Sequence, residues 1–191
     1  VAGRVHRMPA TTLEEGEDIH MAEQPLTLIT FYSGWKGFQR NLIKIIAPLS
    51  PEQLALPAAP HHWSIGRIAQ HIIANRVWWF QMWMGEGSPA LAPIAHWDPA
   101  DKEETSAREA AELVTALEST WQMIQDALEQ WTSADLEHIF QPPAALSDEE
   151  KEIFGELSRQ WIIWHVIEHE ILHTGELSLA LGTYGLTTIY D

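Results

Sequence analysis

The chain has 191 residues, 46% of them hydrophobic, with 27 Asp plus Glu against 11 Lys plus Arg and a formal charge of −16. That length fits one domain with a substantial core, and so acidic a surface repels a phosphate backbone, so nucleic acid is not an expected partner. The chain has no cysteine, which excludes disulfides, thiolate ligands and cysteine nucleophiles; any thiol chemistry would need the thiol to arrive on a cosubstrate. No apolar run reaches the ~20 residues of a membrane span and no signal-peptide core is visible, so no membrane partner and a cytoplasmic location are expected. The ten tryptophans are expected to serve as core and helix packing.

Residues 1–22 are polar and acidic and read as a poorly ordered lead-in to a single domain over 23–191. From Pro25 to Ala47 apolar residues keep a helical spacing that predicts a first long helix. Ser50-Pro51-Glu52-Gln53 is a capping box with Pro at the first helical position, predicting a short helix. After a loop holding His61 and His62, Ser64 is placed to cap a second long helix that runs to Gly85. The proline-rich stretch from Ser88 to Ala100 predicts a long connection. Ser106-Ala107-Arg108-Glu109 reads as a further capping box ahead of a third helix, whose Leu113, Val114, Leu117, Trp121, Ile124 and Leu128 keep a 3.6-residue register. Trp131 to Phe140 is expected to mirror the turn around Ser50, and Ser147 to cap a fourth long helix that stops at Gly182. Period-two alternation is confined to a weak stretch near the C-terminus. The expectation is an all-α four-helix bundle with a long crossover.

The fourth helix carries the chemistry. His165, His169 and His173 recur every fourth residue inside the apolar run from Trp161 to Leu181, which reads as a buried helix with three imidazoles along one face. Helical rise separates neighbouring histidines by about 6 Å and the outer two by about 12 Å. Imidazole nitrogens bind a metal at about 2.0–2.1 Å, so an adjacent pair can share one ion while His165 and His173 cannot. His169-Glu170-Ile171-Leu172-His173 also matches the HExxH pattern of zinc peptidases. Positions 176 and 179 hold Glu and Leu where a metzincin needs Gly and His, and beyond Glu176 the only carboxylate side chain is Asp191. A third ligand is therefore expected upstream. His71, among Ile68, Ile72 and Ile73 on the second helix, is the candidate, because bundles build metal sites from facing helices. Glu170, turned by about 100° from His169, is a candidate general base. Glu168 and Glu176 are candidates for orienting a ligand imidazole. His165 is left as an alternative ligand, a partner for a nearby carboxylate, or a core residue. His61, His62 and His96 read as surface loop residues with a possible substrate contact.

The arrangement of Trp63-Ser64-Ile65-Gly66 ahead of His71, then His165-Val166-Ile167-Glu168-His169 leading into His173-Thr174-Gly175-Glu176-Leu177, resembles the DinB-like superfamily of damage-inducible bacterial proteins. The resemblance covers the chain from about Leu26 to Leu181. It implies a divalent metal held by His71, His169 and His173. Where the family commonly follows its last His with Arg, Gly and Gln, this chain has Thr174, Gly175 and Glu176. Relatives include transferases that use bacillithiol or mycothiol and a mycothiol-dependent maleylpyruvate isomerase.

An all-nitrogen site favours zinc or nickel. The expected function is a metal-dependent hydrolase or a transferase to a low-molecular-weight thiol, acting on a small-molecule substrate, with a homodimer as the expected assembly. A non-enzymatic stress-response or binding module with a structural metal is the alternative from a different class, and a metallopeptidase is a third reading.

Overall fold

A computed structural model describes residues 26–98 and 108–191; the expected lead-in over 1–22 and the Ser106 cap lie outside the described residues. Seven α-helices carry the described fold: α1 (Leu28–Phe31), α2 (Ser33–Ile46), α3 (Pro51–Leu54), α4 (Ile65–Val77), α5 (Ala110–Gln130), α6 (Asp148–Phe154) and α7 (Arg159–Thr183). The four long ones, α2, α4, α5 and α7, build the core, with α4 packed against both α5 and α7 and α2 against α5.

Local chemistry sets several helix starts. Ser50 and Ser147 form full capping boxes with Gln53 and Glu150, and the Ser64 hydroxyl accepts from the Arg67 amide at 3.3 Å. At the end of α4 the chain continues through a π-helical turn, Trp78–Trp83, and the long connection forms a 3-10 helix, Pro89–Trp97. Gly87, which leads into that connection, has φ 79, and a Cβ there would lie 2.6 Å from Met123 Cγ, so only glycine fits.

Two of the expected long helices are broken. The first is interrupted at Tyr32, between α1 and α2. The fourth does not run from Ser147: α6 ends at Gly155, whose φ of 59 is left-handed, and Leu157–Ser158 (β2) pairs antiparallel with Ile139–Phe140 (β1). Ser158 then caps α7 afresh by accepting from the Trp161 amide. The expected mirror of the Ser50 turn forms a 3-10 helix, Ser133–Glu137, capped by Thr132. The C-terminal stretch that carries the weak period-two alternation forms no strand, and the strands lie instead at Ile139–Phe140 and Leu157–Ser158.

The core side of α7 is apolar at Ile162, Ile163, Val166, Leu177, Ala180 and Leu181, yet it also buries Glu170, Thr174 and Ser178. Its outer side exposes Trp164, Ile171, Leu172 and Leu179 to 55–77%. The expected buried helix is thus buried on one side: the apolar run covers both faces, and only one of them meets the bundle.

A buried polar hub joins the four long helices. The Glu170 carboxylate on α7 accepts from Arg76 Nε at 2.5 Å, Arg76 Nη2 at 3.0 Å and Trp35 Nε1 at 2.9 Å. Arg76 Nη1 on α4 donates to the Leu117 carbonyl of α5 at 3.2 Å, and Gln39 of α2 donates to the same carbonyl at 2.9 Å. Arg76 and Glu170 are both fully buried. Removing one member leaves the other charge unpaired in the core, so Glu170→Leu is expected to lower stability by about 3–5 kcal/mol in urea unfolding. Arg76→Met in the same chain is expected to restore most of that loss; a single variant as stable as the native chain would contradict the assignment.

Candidate metal centre

α4 presents His71 and α7 presents His169 and His173 to one point, where one nitrogen from each lies within 4.8 Å of the others. The i, i+4 spacing sets the two α7 rings edge to face at 4.4 Å between centroids, and His71 approaches them at 4.6 and 4.8 Å. His71 Nδ1 donates to both carboxylate oxygens of Asp98 at 3.0 Å, which fixes the tautomer and leaves Nε2 bare. His173 Nδ1 meets Glu176 Oε2 at 2.6 Å with the same consequence. His169 Nε2 faces His71 Nε2 at 2.8 Å. Two imidazole nitrogens this close repel unless a proton or a cation lies between their lone pairs. Burial first, then the imidazoles of His71, His173 and His165, hold the His169 pKa down to about 3, so this ring is neutral and a metal would meet little proton competition there. His169 Nδ1 is buried without a hydrogen-bond partner. A three-imidazole donor set with two rings oriented by carboxylates fits a divalent ion.

A cleft of about 420 Å³ opens beside His173, between α7 and the loop before α4. His61 and His62 line it, while His96 is exposed on the connection. Trp63 lines the cleft and also sets its ring edge-on to His71 at 5.0 Å.

Other candidates go elsewhere. Glu170, expected as a general base, has its carboxylate held by three N–H donors in the core hub. Cut off from solvent and engaged by these donors, the carboxylate serves as the ion-pair partner of Arg76. His165 stacks on Trp161 at 4.9 Å and meets Trp79 edge-on at 4.8 Å, 6.0 Å from the His169 ring, and burial lowers its pKa. It packs among aromatics outside the three-His group. Asp98 was missed: it sits 27 residues from His71 at the end of the connection, and no local spacing joins the two.

The sequence profile of the DinB superfamily matches residues 35–177. The chain belongs to the DinB superfamily. Its fold is similar to the crystal structure of a DinB-like protein from Bacillus cereus ATCC 10987, with a TM-score of 0.62 and 21% identity over 86% of this chain and 97% of that one. At that identity the likeness speaks for the fold. No curated protein matches the sequence. Superfamily membership and the three-His cluster are together compatible with metal binding. No helix among the described residues is long and apolar enough to cross a membrane.

Proposed function

We propose that this DinB superfamily member is a metal-dependent enzyme, a hydrolase or a transferase to a low-molecular-weight thiol, built on a three-His centre. The observation that carries the reading is the convergence of His71, His169 and His173 with Asp98 and Glu176 behind two of the rings. These three imidazoles would hold the ion, with zinc or nickel favoured by nitrogen donors. A divalent ion there supplies Lewis acidity, which polarises a substrate or lowers the pKa of a water or thiol. Asp98 and Glu176 keep the Nδ1 protons of His71 and His173 and aim the other nitrogens inward. The cleft beside His173 supplies room for a small molecule.

A second reading, a structural metal in a non-enzymatic binding module, is favoured by one observation: the ligands come from two helices, α4 and α7, which an ion would staple together. Protein purified without a polyhistidine tag is expected to carry about one divalent ion per chain, and His169→Ala to lose it with its helical circular dichroism intact. Full metal retention in that variant would sink both readings. Loaded protein whose ion accepts no added ligand would favour the staple over the enzyme.

The assembly that the surface supports is a homodimer through α7. Trp161, Trp164, Ile171, Leu172 and the nearby Phe31 are each 41–63% exposed, and an apolar groove of about 280 Å³ lined by Tyr32, Phe38, Ile167 and Ile171 adjoins them. At about 200 Å² per large side chain the exposed part sums to roughly 560 Å², the larger part of the ~800 Å² per partner of a stable interface. Light scattering is expected to give twice the 21.7 kDa chain mass, with Trp164→Glu/Leu172→Glu giving monomers. A monomeric native chain would rule the dimer out.

A further inference from the structure

The cleft beside the three-His cluster has a one-sided chemistry. Its outer wall is the loop from Pro57 to Ser64, closed by a bridge between those two residues and by an Ala58 amide to Trp63 carbonyl bond of 2.8 Å. Tyr184 pins the loop from the C-terminal side, its hydroxyl donating to the Pro57 carbonyl at 2.8 Å. So held, the loop keeps His61 at φ 66, the left-handed region, where a non-glycine residue is strained. The bridge, the Ala58–Trp63 bond and the Tyr184 bond together tie down both ends of this wall.

The surfaces facing the cleft are Ala58, Ala59, Trp63, Ile68 and Leu179, with His61 and His62 alongside. Its one carboxylate, Glu176, is engaged by His173. No Lys or Arg is among the described residues that line it, and the chain as a whole carries −16. Away from the ion, an anionic substituent would find no cationic side chain lining the cleft, the Arg67 guanidinium being packed over the Trp63 ring at 5.7 Å, and would enter against the field of the protein. An uncharged ring would instead meet the Trp63 ring and the Leu179 side chain. With a water's share of liquid at about 30 Å³, the volume suits a group of roughly a dozen non-hydrogen atoms.

We propose that this cleft binds the uncharged apolar or aromatic substituent of a substrate whose metal-binding atom reaches the three-His centre. The assignment rests on the metal-centre reading above and deepens it. The substrate is thereby a small molecule with a polar reacting end and an apolar body, and Trp63, Ala59 and Leu179 set its specificity. Trp63 joins the two functions, because the ring that walls the cleft also packs against the ligand His71.

The test uses cobalt-loaded protein and two probes, imidazole and 4-phenylimidazole, followed by the visible absorption of cobalt. 4-Phenylimidazole is expected to bind at least tenfold more tightly than imidazole. Leu179→Trp, which fills the cleft from α7, and Ala59→Trp, which fills it from the loop, are each expected to bring that ratio toward one. Neither residue touches the ligand nitrogens, so cobalt content and imidazole binding should stay as in the native protein. Normal cobalt uptake with equal affinities for the two probes, or a ratio that survives both substitutions, would overturn the cleft assignment alone. Failure to take up cobalt at all would overturn the metal-centre reading and this assignment with it.

Discussion

The Arg76–Glu170 ion pair is the constraint on which the rest of the molecule depends. Two fully buried charges are tolerable only when each is paired and its remaining hydrogen-bonding capacity is met. Here the partners come from every long helix: Trp35 of α2, the Leu117 carbonyl of α5, Arg76 of α4 and Glu170 of α7. Apolar packing alone tolerates sliding by a fraction of a turn, whereas a bidentate guanidinium–carboxylate contact does not. The pair therefore fixes α7 against α4. His169 precedes Glu170 by one residue, and His71 lies five residues before Arg76, so the same register that closes the ion pair carries the three imidazoles to one point.

Core and site use opposite electrostatic solutions in adjacent positions of one helix. Glu170 is charged, buried and matched by a cation; His169 is largely buried, and desolvation together with its imidazole neighbours keeps it neutral. A neutral nitrogen donor is what a metal ligand requires, and no cationic side chain competes for the space among the described residues of the cleft. Asp98 and Glu176 complete the arrangement from the outside, each accepting a hydrogen bond from Nδ1 of one ring. The α7 surface extends the contrast, since it buries Thr174 and Ser178 while leaving Trp164 and Leu179 in solvent.

Much of this was legible in the sequence where the physics is local. Ser50, Ser64 and Ser147 announce helix starts because a cap is a hydrogen bond to an amide three residues on. The register of α5 and the four-residue histidine ladder follow from 3.6 residues per turn. What stayed hidden depends on chain segments meeting in space. Glu170 and Arg76 are 94 residues apart, so a carboxylate next to a ligand read as a base rather than as half of a core ion pair. Asp98 reaches His71 only through the path of the Pro89–Trp97 connection. The break at Gly155 depends on a pairing with Ile139 and Phe140 that no helical periodicity encodes, and an apolar run such as that of α7 does not say which of its faces the bundle takes.

Whether α4 and α7 together hold one divalent ion is open to direct test. X-ray absorption on the zinc-loaded protein addresses it most directly, because imidazole rings give a distinctive multiple-scattering pattern. Three imidazole nitrogens at about 2.0–2.1 Å are expected, falling to two in His71→Ala. A native spectrum with fewer than three imidazoles, or one that His71→Ala leaves unchanged, would contradict it.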